Sequence, residues 1–447
     1  MITFSIIQKS QLEGAMRMDA EFFHPEKLEA LTILERHSGK NISDYFFSSK
    51  KTFNPISQKL GKSAIVYDLT DALGLFLSDG LKVESEKEIG STKRILEKND
   101  VIISRLRSYL KEISFVFDNE NLKLSSTEFF AFRKKGNIDI LPELLFSFLQ
   151  TNIVQKILEW SQEGVNHPRF SDDTILNLKL PDILLKLQDE IKNSVRSGYD
   201  LYLNSKVFYQ QAENLLLGEL DLKDFEKSEN LVFIVNLSNI LEARRMDAEY
   251  FQAKYEKLVS KLKEKNSKLL SEVIESVPAK FEANKKPNNK FNYVELSNIN
   301  SGVINGFTEV LGRETPDRAK RILKADDVIV STVEGSLDKV ALVDKDQEGF
   351  LASNGFFQLR SKEIMPEVLL VMAKSIIFQF QLEKRCAGTI LTAVPKESIN
   401  DIIIPILPKN IQQKISDLVK KSHEARKKSK ELLEEAKRKI EEMIEKN

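Results

Sequence analysis

Gly61-Lys62-Ser63 has the residue types that close a phosphate-binding loop. Such a loop needs a further glycine at position 56, so that the backbone can wrap the phosphate. Ile56 stands there, and the reading fails. Pro181-Asp182 followed by Glu190-Ile191-Lys192 imitates a nuclease signature of two carboxylates and a lysine around a divalent ion. Those carboxylates would have to converge from strands, but Glu190 and Lys192 fall on a long predicted helix. A related stretch downstream reads Pro405-Ile406 and lacks the Asp. Cys386 is the single cysteine, which excludes an internal disulfide and a multi-cysteine zinc site. His24, His37, His167 and His423 are scattered, and no HExxH or CxxC spacing occurs. GxGxxG, GxSxG and the amino-methyltransferase pattern [DNS]PP[YFW] are also missing. The chain is expected to be non-catalytic by itself, with no metal and no cofactor of its own.

Other residues suit binding. Lys50, Lys51, Asn54, Gln58, Lys59 and Lys62 share one Pro-containing stretch. A second stretch runs from Lys280 to Lys290, with Lys285, Lys286, Asn288, Asn289 and Lys290. Lysine suits phosphate or guanine, and Asn or Gln suits an adenine edge, so these loops point to double-stranded DNA. An ordinary solvated loop is the alternative, and the recurrence of the pattern favours binding. Arg105, Arg107 and the polar loop Asn166, His167, Arg169 are further candidates. Arg105 or Arg107 could equally pair with nearby acids, and a lone His167 is usually structural.

These residues are positioned by a chain written twice. Arg17-Met18-Asp19-Ala20-Glu21-Phe22-Phe23 recurs as Arg245-Met246-Asp247-Ala248-Glu249-Tyr250-Phe251. Lys93-Arg94-Ile95-Leu96 recurs as Lys320-Arg321-Ile322-Leu323, and Asp100–Ser104 recurs as Asp327–Ser331. Phe129-Phe130 matches Phe356-Phe357, Leu141-Pro142-Glu143 matches Met365-Pro366-Glu367, and Gln188 matches Gln412. The order is collinear, and the period is far longer than the 20–50 residues of a solenoid unit. Two tandem copies of one domain, with pseudo-two-fold symmetry, are the reading.

Each copy should open with an amphipathic helix, Met18–Glu35 or Met246–Lys263. Strands are expected at Ile65–Asp68, Asp100–Ser104 and Ile113–Phe117, and at Tyr293–Leu296, Asp327–Ser331 and Val340–Val343. One helix should run Pro142–Trp160, mirrored by Pro366–Lys384. A Pro-terminated strand follows, Ile175–Leu180 or Ile399–Ile404. A long helix ends each copy, about Leu184–Leu217 or Lys409–Glu445. A 3–4 spacing picks out a seam through Leu187, Ile191, Leu201 and Phe208 in the first. In the second it picks out Ile411, Ile415, Leu418 and Leu432. Small residues match at Gly198/Ser422, Ser205/Ser429 and Ala212/Ala436. Helices of this length reach roughly 50 Å. They are expected to pair antiparallel as a spacer; the alternative is that each packs on its own domain.

The fold class is therefore α+β: two repeated α/β domains separated by a long antiparallel two-helix coiled coil. The boundaries read 1–181, 182–228, 229–405 and 406–447. With 447 residues there is ample chain for two cores. Lys+Arg and Asp+Glu are 67 each, and a net charge of zero would ordinarily argue against nucleic acid. The charge is local, however. Residues 36–135 hold 18 Lys/Arg against 13 Asp/Glu, while residues 266–363 hold 14 against 15. Without a signal-like or membrane-length apolar run, a cytoplasmic location is expected.

The whole chain resembles the specificity subunit of type I restriction–modification systems. The resemblance rests on the duplicated Arg17–Phe23 motif and on Arg321–Lys324, Asp327–Ser331, Gly335-Ser336-Leu337 and Lys339-Val340-Ala341. Ser353–Phe357 and the helix start Pro408, Ile411, Gln412 and Ile415 complete it. It implies that each domain is a target recognition domain for one half of a bipartite DNA site. It implies that the paired helices dock two modification (methyltransferase) subunits, joined later by restriction (helicase–nuclease) subunits. S-adenosylmethionine, ATP and Mg would belong to those partners. One departure is Arg105-Leu106-Arg107 against Thr332-Val333-Glu334. A duplicated-domain adaptor binding proteins, or a hydrolase with a hidden site, are the competing readings.

Overall fold

The computed structural model describes residues 4–10, 12, 17–164, 166–225, 234–277, 281–282, 285–388 and 392–446. The chain divides into two compact units, Met1–Leu203 with Ala425–Asn447, and Asn204–Glu424. Each is a mixed α+β unit.

In the first unit a four-stranded antiparallel sheet runs in the order Phe46–Ser48, Phe129–Lys134, Val101–Ser104, Ile113–Phe115. A five-stranded sheet runs Thr52–Phe53, Lys93–Leu96, Leu122–Ser125, Ala64–Tyr67, Leu81–Val83, with one parallel pair between Ala64–Tyr67 and Leu122–Ser125. Gly39–Asn41 and Lys179–Pro181 form a third, two-stranded sheet. The second unit shares the central pairings of this plan, but its two larger sheets have six and four strands. Phe356–Ser361 pairs with Val328–Ser331 in the register Phe356↔Ser331, as Phe129 pairs with Ser104 in the first. The parallel pair recurs between Lys290–Val294 and Leu351–Ser353, and Ser267–Leu269 pairs with Ile403–Pro405.

Both central strands, Val101–Ser104 and Val328–Ser331, are buried throughout. Their β-branched runs suit a strand covered on both faces. Each is anchored at its start by a buried carboxylate. Asp100 takes a two-point hydrogen bond from Arg133 at 2.8 Å and accepts from the Glu97 N–H. Asp327 takes the same from Arg360 at 2.7 and 2.9 Å and from the Lys324 N–H. Burial raises the Asp100 pKa, and the Arg133 contact opposes it.

The structure corrects several expected elements. The opening helices begin late, at Pro25 and Ala253, and end at Glu35 and Lys263. Asp19 and Asp247 instead accept from backbone N–H groups or pair with arginine, which favours a turn before the helix. The expected Pro142–Trp160 helix is two, Pro142–Leu149 and Asn152–Glu159. Thr151 breaks it by accepting the Val154 N–H as a new N-cap. Ser375 does the same between Pro366–Lys374 and Ile376–Arg385. The expected strands Ile175–Leu180 and Ile399–Ile404 are largely helical turns, and only Lys179–Pro181 and Ile403–Pro405 pair.

The long helices span Gln188–Glu219 and Lys409–Glu445. Within the first unit they run antiparallel: Lys439 Nζ meets Glu190 at 2.5 Å, and Ser429 Oγ donates to the Gly198 carbonyl at 2.6 Å. Within the second, Ser422 Oγ donates to the Ser205 carbonyl at 2.6 Å. Ile191 and Ile415 are buried. Leu187, Leu201, Phe208, Ile411, Leu418 and Leu432 are half-buried. The fully buried line passes one residue over, through Val195, Tyr202, Val419 and Leu433.

Pairing and packing on a globular core coexist. Ile191, Val195, Tyr202, Leu433, Ala436 and Ile440 share a core with Phe115, Phe132 and Phe146. Ala212, Leu216, Ile415 and Val419 share one with Phe357, Leu369 and Met372. Burying such side chains contributes roughly 1.5–3 kcal/mol each for the large ones. The two helices are therefore integral to both cores.

Candidate nucleic-acid interface

The residues at the far end of the Val101–Ser104 strand are held by two loops zipped together. Ser104 Oγ accepts the Leu106 N–H at 3.2 Å and turns the chain. The Arg105 N–H donates to the Glu128 carbonyl at 3.0 Å, and the Phe170 N–H donates to the Arg105 carbonyl at 3.2 Å. The Arg107 N–H reaches the Pro168 carbonyl at 3.3 Å, and Leu106 bridges Arg169. Arg105, Arg107, Asn166, His167 and Arg169 thus form one patch of the first unit. Asn166, His167 and Arg107 are exposed.

Glu128 sits at the centre of this patch. Its Oε2 accepts from Arg105 Nε and Arg169 Nε, both at 2.9 Å, and its Oε1 accepts from Arg169 Nη2 at 3.0 Å. Arg169 Nη1 donates to the His167 carbonyl at 3.0 Å. Hydrogen bonds from Arg169, then Arg105, hold the Glu128 carboxyl down at about 2. Arg169 therefore engages all three of its nitrogens, while Arg105 engages Glu128 through Nε alone. The Arg105 guanidinium also lies 6.0 Å from the Phe130 ring centre, and Lys50 Nζ lies 5.7 Å from it. Lys50 pairs with Asp172.

Beyond Arg105 the chain makes a strained tip. Arg107 and Lys111 are both left-handed, at φ 52° and 53°, which costs a non-glycine residue energy. Between them a short turn presents Tyr109 largely to solvent.

The loop after Phe53 is self-contained. Gln58 Oε1 accepts the Asn54 N–H at 2.6 Å, and Asn54 Oδ1 accepts the Ile56 N–H at 3.0 Å. Those oxygens shape the turn. Lys59 and Lys62 are exposed on the same loop. Lys51 pairs with Glu97 at 3.2 Å.

The second basic loop precedes the equivalent strand of the second unit. Lys280 lies outside the described residues. Lys285 pairs with Glu282 at 3.1 Å and Lys290 with Glu309 at 2.8 Å, both pairs on the surface. Lys286, Asn288 and Asn289 are exposed. The loop leans on Gly312, where an added Cβ would lie 2.0 Å from the Lys286 carbonyl oxygen. Arg313 N–H reaches Pro287 and Gly312 N–H reaches Asn289, at 2.9 and 2.8 Å.

The zipped loops of the second unit repeat the backbone and change the side chains. The Thr332 N–H donates to the Gly355 carbonyl at 2.9 Å, and Val333 bridges Ala393. Thr332, Gly355 and Ala393 thus occupy the places of Arg105, Glu128 and Arg169. The whole charged triad is exchanged together, and Glu334 takes the place of Arg107.

Sequence reasoning missed Glu128, Tyr109 and the role of the duplicated motif. Arg17 pairs with Asp19 at 2.6 Å and with Glu163 at 2.9 Å, and its guanidinium covers Phe22. Arg245 pairs with Asp247 at 2.6 Å, donates to the Cys386 carbonyl at 2.9 Å and covers Tyr250. In both units this clamp ties the opening segment to the chain that leads into the site loop. The signal was available: a motif repeated so closely in a chain that otherwise drifts marks a shared geometric task.

Among the described residues no cluster of His, Cys, Asp and Glu could hold a metal ion. No helix among them is long and apolar enough to cross a membrane. The Cys386 thiol is buried and pushed up to about 11, which suits packing and not nucleophilic attack. Glu190 faces Lys439, as described above, not a nuclease-like carboxylate partner.

Residues 263–438 match the type I restriction modification DNA specificity domain. That match makes this stretch similar to a type I restriction–modification specificity domain. The second unit supplies most of that match, including the zipped loops at Thr332 and Ala393. The chain is also similar to the type I restriction enzyme HindI specificity subunit of Haemophilus influenzae, 21% identical over 165 residues. That likeness covers 34% of this chain and 33% of the relative, so it spans about a third of the relative's length. Among solved structures, the S subunit of the type I system of M. genitalium aligns over 91% of this chain and 94% of its own. Its TM-score is 0.44 at 10% identity. The HsdS subunit of Thermoanaerobacter tengcongensis aligns over 92% and 95%, with a TM-score of 0.30 at 13% identity.

Proposed function

We propose that the chain is the DNA-specificity subunit of a type I restriction–modification enzyme, each unit reading one half of a bipartite target. One observation carries this reading beyond the domain match. The two units share a backbone frame at the zipped loops, yet the frame displays Arg105, Arg107 and Arg169 in one and Thr332, Glu334 and Ala393 in the other. A frame kept constant while the side chains it carries are exchanged, with exposed Arg107 replaced by exposed Glu334, is what two readers of different half-sites require.

In this reading Lys50, Lys59, Lys62, Lys285, Lys286 and Lys290 serve phosphates, which position without specifying. Arg105, steadied by Glu128 but not consumed by it, serves a guanine edge in the major groove. Asn166, His167, Asn288 and Asn289 are the adaptable polar contacts. The long helices dock two methyltransferase subunits, and restriction subunits complete the enzyme. S-adenosylmethionine, ATP and Mg act on those partners, and this chain contributes selection of the site.

The deciding experiment is co-expression with the cognate methyltransferase, followed by sequencing of methylated adenines. The expected result is a single gapped motif. An active methyltransferase complex that leaves no bipartite methylated motif would refute the reading.

A further inference from the structure

At the opposite end of the Val101–Ser104 strand from Arg105 lies a cleft of about 310 Å³. About six residues separate the two ends, or roughly 20 Å of extended chain, so the cleft is distinct from the patch above. Five cations line it: Lys98, Arg133, Lys134, Lys192 and Arg196. Two have partners. Arg133 holds Asp100 and Glu97, and Arg196 holds the buried Glu143 at 2.6 Å. Lys134 and Lys192 have no ion pair among the described residues, and Lys98 is only within electrostatic reach of Asp118.

The second unit shows what the fold itself needs here. Arg360 still holds Asp327, and Lys420 pairs with Glu367 at 3.2 Å. Glu367 also accepts from Ser416 Oγ at 2.9 Å. At the places of Lys98, Lys134 and Lys192 stand Ala325, Ser361 and Ser416. The arginine and carboxylate pairs are therefore framework, and the three lysines are additions. Like charges gathered around one cleft repel, and that arrangement becomes favourable when an anion joins them.

We infer that the first unit, and not the second, carries an anion site that takes phosphate groups. Lysines bind phosphate as point charges with rotatable donors. The cleft is near the lower bound of small-molecule sites, which suits a compact phosphate better than a ligand with a large ring system. The phosphoryl group could belong to a free polyphosphate or to a DNA backbone. The site stands independently of the specificity reading.

The test is calorimetric titration of the full chain with inorganic pyrophosphate. Saturable binding at one site per chain is expected. A variant carrying the second unit's own residues, Lys98→Ala, Lys134→Ser and Lys192→Ser, should bind at least about tenfold more weakly. Its circular dichroism should be unchanged, because the repeat already tolerates those residues. The milder Lys134→Ser alone should give an intermediate loss. Competition with a random-sequence duplex identifies the source. Displacement assigns the site to backbone phosphate, and coexistence assigns it to a free polyphosphate. No saturable binding by the natural chain, or equal binding by the folded triple variant, overturns the inference.

Discussion

Glu128→Gln tests whether the arginine triad is a closed electrostatic unit. The carboxyl is held at about 2 against an ordinary 4.5. At full burial that difference is worth at most about 3 kcal/mol. Glu128 is 23% exposed, and its partners Arg105 and Arg169 are 37% and 39% exposed, so solvent screens the attraction. Roughly 1–2 kcal/mol remains for Glu128. A depressed carboxylate stabilises the fold above its ordinary pKa and loses that contribution as pH falls through the depressed value. Urea unfolding of the natural chain and of Glu128→Gln should therefore differ by that amount at pH 7. The gap should narrow between about pH 4.5 and pH 2 and close below.

The repeat supplies the control. Arg105→Thr with Glu128→Ala and Arg169→Ala installs a neutral arrangement like that of the second unit. It leaves no arginine pair facing an empty position, so it should cost less than Glu128→Gln alone. In the methylation assay the same triple variant should relax one base of one half-site, with discrimination falling by about 1–3 kcal/mol. The other half-site should be untouched. A triple variant much less stable than Glu128→Gln, or a pH-independent gap, would refute the closed-triad reasoning.

Three further outcomes follow from packing and charge. Gly198 meets the Ser429 carbonyl oxygen at 3.4 Å from a built Cβ, an ordinary contact. Gly198→Ala should therefore gain up to about 1 kcal/mol of helix propensity, whereas Gly198→Leu should lose about 1–3 kcal/mol by overpacking, both read by thermal unfolding. Lys27 is 4% exposed under Phe22, and burial followed by Arg17 lowers its pKa to about 7. The unfolded chain binds more protons between pH 7 and 10.5, so stability rises with pH there; Lys27→Met should stabilise by roughly 2–4 kcal/mol at or below pH 7 and flatten the slope. Asp100→Asn and Asp327→Asn each leave a partly buried arginine without its buried carboxylate, and each should cost about 3–5 kcal/mol in chemical unfolding.

The duplicated plan was legible because β-branched strand cores and charged turns leave marks within a few residues. Asp100–Ser104 and Asp327–Ser331 were located to within one residue for that reason. The helix breaks at Thr151 and Ser375 were not, since both flanking segments are apolar and only a side-chain hydroxyl decides where a new helix starts. The seam was shifted for a different reason. Leu201 and Tyr202 are both apolar, as are Leu418 and Val419, because each half-helix buries a stripe wider than a two-helix seam. A 3–4 count cannot choose between adjacent apolar residues when both are partly covered.

Glu128 was invisible on other grounds. Nothing in the linear order ties it to residues 23 and 41 positions away, and only the folded registers of Phe129 with Ser104 and Leu106 with Arg169 bring them together. The comparison of the two copies nevertheless contained it in latent form. Arg105, Glu128 and Arg169 all change, and they change to Thr332, Gly355 and Ala393, none of which is charged. Independent surface drift would be expected to leave at least one charge behind, since a stranded arginine on a surface costs little. Simultaneous loss means that the three positions act as one unit, which is a contact inferred from a chain's divergence from itself. The same reasoning separates framework from function elsewhere. Pairs retained in both units, such as Asp100–Arg133 with Asp327–Arg360, belong to the fold, and groups present in one unit alone are where its distinct binding chemistry must lie.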